Sequence, residues 1–329
     1  MALALGAAAS AAMAQSPLTF KFGYGLKEDS NQGRAARVFA ERVSQLSGGR
    51  LKMEPVGAAK LGSDDAMQKA VSAGTQEMMV GSTATLVSVV KEMALWDAPF
   101  LFNGVDEADF LLDGAIGQQI MGKLPDKGFV GLVYWENGFR NLTNSKRPIN
   151  SLGDLSGLKL RVMQNDTFIK AFRTLGADAR PMAFAELDAA LRSGAMDGQE
   201  NPFNTILSSK FYESQKYLSI TNHVYSPWIV LASKKWWDKL PKADQEIIQQ
   251  AATQARDFER RDTREEADRA LKNLVEKGMQ VNVPTFGELS RMRNRMDHIY
   301  ARDIGEKVGL PLLLQVQNEL IGYRDRKRK

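Results

Sequence analysis

From Lys242 to Lys277 the chain contains neither glycine nor proline, and Gly278 ends the run. Helical throughout, this segment is roughly 54 Å long at about 1.5 Å per residue, longer than one small domain needs. Its apolar positions fall into two sets at helical spacing. Ile247, Ile248, Ala251, Ala255 and Phe258 form the first, and Ala267, Ala270, Leu271 and Leu274 the second. The polar stretch ERRDTREE (259–266) separates them. The pattern predicts one helix packed on two bodies, its polar middle crossing a hinge. The plainer alternative is two ordinary helices joined by a kink.

The rest of the chain reads as alternating strand and helix. LTFKFGYG (18–25) places Leu18, Phe20, Phe22 and Tyr24 on one face at period two. Asp29-Ser30 can cap a helix carrying Ala36, Phe39, Val43 and Leu46, which Gly48-Gly49 ends. RLKMEPV, AMQKAVSAG and EMMVGS then read as strand, helix and strand. This is βαβ logic and predicts a largely parallel sheet covered by helices. The phrase recurs: GLKLRVM, DTFIKAFRTLGA, ARPMAF, AELDAALRSG and AMDGQEN read as strand, helix, strand, helix, strand. AVSAGTQEM (70–78) also lines up with ALRSGAMDG (190–198). Either two α/β units are alike by chance, or two lobes are built on one plan, near 18–138 and 139–226.

A length of 329 residues agrees with two domains. The net charge of +5, from 44 basic and 39 acidic side chains, is small and spread along the chain. No basic stripe is interleaved with aromatics, so nucleic acid is not an expected partner. The first residues, MALALGAAASAAMAQSP, are small and apolar, and Ala12-Met13-Ala14 fits a secretory cleavage pattern. The first basic residue is Lys21, so the usual charged segment is missing, and residues 1–16 read as the remnant of a signal peptide. No later run of about 18 apolar residues suggests a membrane span. The chain has no cysteine, which is compatible with the periplasm without identifying it.

Catalytic signatures are weak. The two histidines, His223 and His298, stand far apart, and no cluster has metal-ligand spacing. No G-x-S-x-G elbow is present. GYGLKE (23–28) begins like a dinucleotide fingerprint but has Glu28 at the third glycine. His223, in ITNHVYS, reads as a structural histidine on a strand. No cofactor is expected, and an enzyme is not the favoured class.

What remains is a set of polar groups at strand ends. SGAMDGQENP (193–202) places small and polar residues where a buried strand should run. It is either a solvated loop or a strand end facing a ligand. Arg161 alternates with Leu160 and Val162 at the end of GLKLRVM, Arg140 ends LVYWENGFR, and Asn201 precedes Pro202. Open α/β sheets bind ligands beyond the carboxyl ends of their strands. An arginine there offers a planar fork for a carboxylate, and an asparagine adds a donor or acceptor. Singly, each also reads as a surface ion pair or a turn residue.

GLKLRV, LGADARPMAFAEL, SGAMDGQENP and FYESQKYLSITNH, in this order and spacing, resemble the DctP-type solute-binding proteins of TRAP transporters. GRAARVFAERVSQLSGGRLKM, KLGSDDAMQKAVSAG, APFLF and NGFRNLTNSKRPI extend the resemblance over nearly the whole mature chain. The resemblance implies an α/β fold: a two-lobe periplasmic binding protein (type II-like) with a hinge and a long helix shared by both lobes. It implies lobe I at 17–138 plus about 227–262 and lobe II at 139–226 plus about 263–323, with 324–329 a basic tail. It implies closure on a small organic acid, which a sodium-driven TRAP permease in the membrane then receives. Carried over, Arg161 grips the ligand carboxylate, Asn201 contacts it, Arg140 joins them and Phe184 lies against the ligand. Gln164 and Ser82 fall at positions that vary with substrate, while Asp64 and Trp228 are weaker carry-overs. The incomplete signal departs from the family, so export rests on Ala-x-Ala and the resemblance. The expected ligand is a hydroxy acid or short sugar acid, and a monomer is expected. A dicarboxylate with Arg140 on its far carboxylate is the alternative, and an enzyme acting on small organic acids a remote one.

Overall fold

The computed structural model describes residues 16–328, so nearly all of the expected signal remnant lies outside the described residues. Two sheets divide the chain. In lobe I, β1 (Leu18–Gly23), β2 (Leu51–Val56), β3 (Met78–Ser82), β4 (Phe129–Phe139) and β10 (Tyr225–Ser233) lie in the order β2-β1-β3-β10-β4. In lobe II, β5 (Asn141–Asn144), β6 (Lys159–Val162), β7 (Asp178–Pro181), β8 (Gly198–Asn201), β9 (Tyr217–Ser219) and β11 (Gln280–Asn282) lie in the order β11-β9-β5-β8-β6-β7.

The repeated phrase is visible in space. β1, β2 and β3 alternate with helices Asn31–Leu46 and Asp64–Ala73, just as β6, β7 and β8 alternate with Asp166–Thr174 and Phe184–Arg192. The spatial orders β2-β1-β3 and β7-β6-β8 are the same. Ser30 caps the first helix by accepting from Gly33 N, and Ala36, Phe39 and Val43 are its buried face.

The sheets are mixed rather than largely parallel. β10 runs antiparallel to β3 and β4, and β5 antiparallel to β8 and β9. Both begin just after the chain crosses between lobes. A strand entering from the hinge must run opposite to strands whose carboxyl ends point at the hinge. ARPMAF is likewise only partly a strand. β7 is an edge strand that stops at Pro181, which has no N–H for the ladder, and Phe184 opens the next helix.

The long run is one helix, Lys242–Glu276. Its first half buries Ile248, Ala251 and Ala255 against Phe22 and Phe39 of lobe I. Its second half buries Leu274 against Leu187 and Ile206 of lobe II. The polar middle is solvated on one face only: Arg261 and Glu265 are exposed, while Glu259, Arg260 and Thr263 are buried. Thr263 Oγ1 accepts from Asn31 Nδ2 of lobe I at 2.9 Å, and its carbonyl accepts from Asn204 Nδ2 of lobe II at 2.9 Å. The middle therefore ties the lobes together through these two hydrogen bonds.

The expected lobe II segment 263–323 divides between the lobes. Helix Phe286–His298 buries Met292 and Met296 in lobe II. Helix Leu310–Lys327 returns to lobe I, where Leu312, Leu313, Val316 and Leu320 pack with Leu111 and Ile116. The expected basic tail is largely its last turn: Arg324 pairs with Glu107 at 2.7 Å and Lys327 pairs with Asp106. Apolar matching and these ion pairs fix this helix to lobe I.

Candidate functional site

A cleft open to solvent at its mouth separates the lobes. It lies beyond the carboxyl ends of β3, β6 and β8, where an α/β sheet presents its loops to a ligand. All eight side chains singled out from the sequence border it: Asp64, Ser82, Trp228, Arg140, Arg161, Gln164, Phe184 and Asn201. Their local environments differ sharply.

Arg161 is 3% exposed. Its Nε and Nη2 both donate to the Met182 carbonyl, at 2.9 and 2.7 Å. This fixes the plane of the guanidinium and leaves Nη1 without an acceptor among the described residues. Among the described residues no carboxylate lies within ion-pair distance of it. Burial of this cation pulls its pKa down to about 10; Glu200 and Asp64 pull it up and Arg140 pushes it down. It stays charged at neutral pH, at a desolvation cost to the folded protein. The Phe184 ring centroid is 6.0 Å from its Cζ, within cation–π range.

Asn201 is held by a relay of buried groups. Gln215 Nε2 donates to the carbonyls of Asp197 and Ser214, so its Oε1 faces Thr143. The Thr143 hydroxyl donates to that oxygen at 2.9 Å and accepts from Gln199 Nε2 at 2.9 Å. Gln199 Oε1 then accepts from Asn201 Nδ2 at 2.6 Å. Each link fixes the next, because carbonyls only accept and amide nitrogens only donate. Asn201 therefore keeps one N–H and its Oδ1 for the cleft. Within SGAMDGQENP, Gly198–Asn201 is a fully buried strand that supplies Gln199 and Asn201 to this relay.

Arg140 is different. Its Nε donates to Glu200 Oε2 at 2.5 Å, and its Nη2 to Glu200 Oε1 at 2.8 Å and to the Glu200 carbonyl at 2.5 Å. Both residues are fully buried. His223 Nε2 lies 3.0 Å from the same carboxylate, and Thr221 Oγ1 lies 2.8 Å from His223 Nδ1. Burial works to raise the Glu200 pKa, but Arg140 and His223 outweigh it and hold the carboxylate below its usual range. Burial lowers the His223 pKa. A neutral imidazole with Nε2–H donating to Glu200 and Nδ1 accepting from Thr221 fits both contacts. Much of the donor fork of Arg140 is thus already occupied.

On the lobe I wall, Asp64 Oδ2 accepts from Ser82 N at 2.9 Å. Burial raises the Asp64 pKa, while that bond and Arg161 oppose the shift. Ser82 Oγ meets Met163 Sδ of lobe II at 3.5 Å. Trp228, paired between Ser82 and Trp135, is buried, whereas Gln164 is exposed at the rim. Sequence reasoning missed three buried polar residues of the cleft: Gln32, Asn137 and Thr205. Thr205 Oγ1 donates to Asn137 Oδ1 at 3.0 Å. The signals were present, since Gln32 follows a helix cap and Asn137 stands in NGFR, but nothing local says that these residues turn toward one cleft.

Two α/β lobes around a hinged cleft define the architecture of a two-lobe solute-binding protein. Residues 22–306 match the model of the bacterial extracellular solute-binding protein family 7, DctP, and the chain belongs to this family. A solute-binding protein of Verminephrobacter eiseniae is 40% identical over 82% of this chain and 81% of its own. The sugar acid binding protein of Advenella mimigardefordensis, solved with galactonate, superposes with a TM-score of 0.91 at 42% identity, covering 93% of this chain and 99% of that one. A TRAP periplasmic solute-binding protein of a Polaromonas species, bound to D-erythronate, gives 0.87 at 38% identity over 91% and 98%. Among the described residues, no helix is long and apolar enough to cross a membrane.

Proposed function

We propose that this chain is the periplasmic receptor of a TRAP transporter. It closes on a small hydroxy acid or short sugar acid and delivers it to a sodium-driven membrane permease. Arg161 and Asn201 hold the ligand carboxylate. The observation that carries this reading is Arg161: a buried cation, oriented by Met182, with no carboxylate in ion-pair reach among the described residues. A ligand carboxylate would supply the missing charge in a cleft where a low dielectric strengthens the pair. Asn201 adds a second donor whose orientation the relay fixes. Phe184, Trp228 and Met163 offer apolar surface to a short carbon skeleton, and Ser82 and Gln164 add polar groups. The relatives solved with galactonate and erythronate bind acids of this kind. The dicarboxylate reading needs Arg140 free for a second carboxylate, and its pairing with Glu200 weighs against that.

Thermal shift and titration calorimetry against aldonates, uronates, hydroxy acids, dicarboxylates and matched neutral sugars test the reading. Acids should bind and neutral counterparts should not. Removing one partner of a buried charge pair costs roughly 2–5 kcal/mol, so Arg161→Ala should weaken binding by about 30-fold to several thousand-fold. Arg161→Lys should also bind poorly, because a point charge cannot replace the fork. Wild-type affinity in Arg161→Lys would sink the carboxylate clamp.

A further inference from the structure

Asn165 stands one residue past Gln164 and caps helix Asp166–Thr174 of lobe II. Its Oδ1 accepts the backbone N–H of Thr167 at 2.8 Å. A backbone N–H can only donate, so this bond fixes which end of the carboxamide is which. The NH2 end turns to lobe I, where it donates to the Ala84 carbonyl and to Asp97 Oδ2, each at 2.8 Å. Asn165, Ala84 and Asp97 are all buried. A single side chain thus closes a helix of one lobe and holds two acceptors of the other.

Both cleft walls connect directly to this contact. On lobe I, Ser82 Oγ accepts from Ala84 N at 3.2 Å, so a cleft residue and the Ala84 carbonyl belong to one short turn, Thr83–Leu86. On lobe II, Asn165 N donates to the Met163 carbonyl at 2.7 Å. Ser82 Oγ and Met163 Sδ are the pair that meets between the lobes at 3.5 Å. Ala84 belongs to the buried cluster of lobe II that holds Val162 and Phe168. Three residues past Asp97, Phe100 N donates at 2.8 Å to the carbonyl of His223, in the segment returning to lobe I. The contact therefore stands between the cleft floor and the crossing of the chain. Opening the cleft parts Ser82 from Met163. Drawing the Asn165 donors away with it would leave a buried carbonyl and a buried carboxyl without their partner, which is costly.

We propose that Asn165 is a positioning residue for closure: its amide latches the two cleft walls together and acts on the ligand only through them. Gln164 borders the cleft, whereas Asn165 does not. The latch goes beyond the acid-receptor reading, because nothing in it depends on which ligand the cleft holds.

The experiment reads the distance between the lobes and the dissociation of ligand in the full chain. The chain has no cysteine, so Lys60→Cys on lobe I and Ala189→Cys on lobe II, both exposed positions, take a pair of spin labels. The empty wild type should show a short-distance population. Asn165→Asp keeps an oxygen for Thr167 N, since aspartate caps a helix as well as asparagine does, but replaces both donors by acceptors. It should deplete the short-distance population and weaken erythronate and galactonate by the same factor, about 10- to 100-fold, through faster dissociation. Adding Asp97→Asn returns a donor opposite an acceptor and should recover most of the short-distance population. Asn165→Ser also caps but is too short to reach both acceptors, and takes the place of Asn165→Asp if that variant fails to fold. An unchanged distance distribution would overturn the latch even with a lower melting temperature, because Asn165 would then only cap its helix. Unequal losses for the two acids would overturn it as well, because Asn165 would then be reading the ligand. If the wild type binds neither acid the receptor reading fails, and the distances in the empty protein still decide the latch.

Discussion

Lobe I and lobe II repeat one β-α-β-α-β plan with the same strand order, yet line the cleft with different chemistry. In lobe II the first strand of the repeat carries Arg161 near its end and the third ends in Asn201. In lobe I the first strand ends in Gly23, the third ends in Ser82, and the helix between second and third strands opens with Asp64. One lobe presents a cation held in a fixed plane; the other presents an acid, an amide and small residues. The comparison teaches that topology sets where ligand-facing positions fall, and side chains alone set the charge found there. In the proposed reading, lobe II seizes the carboxylate.

The sharpest way to break this contrast lies at Glu200, which neutralises Arg140 while Arg161 is left unpaired. Glu200→Ala would leave a buried guanidinium without its anion, and should cost about 3–5 kcal/mol of stability in denaturant unfolding. A cost below about 1 kcal/mol would mean that the two arginines of the cleft are less different than their contacts indicate.

A second test uses pH and the contact between the lobes. Asn165 of lobe II donates to Asp97 and to the Ala84 carbonyl of lobe I, each at 2.8 Å. Burial raises the Asp97 pKa from 3.8 to about 8, against the opposing Asn165 bond, Lys307 and Arg140, and with Glu200 adding to the rise. Between those values the folded protein holds a proton that the unfolded chain releases. Stability from this group is therefore full below the unfolded pKa and lost as pH rises toward about 8. Asp97→Asn keeps an acceptor for Asn165 and removes the titration. Wild type and variant should diverge by up to ~1 kcal/mol per pH unit across that window, with the wild type losing stability as pH rises. Parallel stability curves would remove Asp97 as the titrating group.

The smallest expected effect concerns the relay behind Asn201. Thr143→Val deletes the hydroxyl that orients Gln199. Ligand affinity should fall by about fivefold, roughly 1 kcal/mol, with poorer discrimination of an acid from its amide. Unchanged discrimination would show that the relay does not orient Asn201.

Much of this was legible in the chain. The period-two and helical phrases located both βαβ repeats, and the glycine- and proline-free run marked the shared helix. Arg161 and Asn201 were readable as strand-end polar residues because a strand end is a local property. The return of helix Leu310–Lys327 to lobe I was not, because a helix stripe says that a face is buried and not against what. Gln32 was passed over because its meaning depends on Leu26 N and on a cleft wall, neither of which its neighbours in sequence specify.

The sequence by itself determined the alternation of elements, the duplicated plan and the residue types able to hold an acid. Those follow from hydrophobic period, capping and side-chain chemistry, which act over a few residues. The tertiary structure decided which arginine is neutralised and which is left unpaired. Arg140 and Glu200 stand 60 positions apart, and only folding brings them to 2.5 Å while Arg161 reaches no carboxylate among the described residues. Charge pairing in a buried cleft depends on distance in space, and distance in space is what the order of residues leaves open.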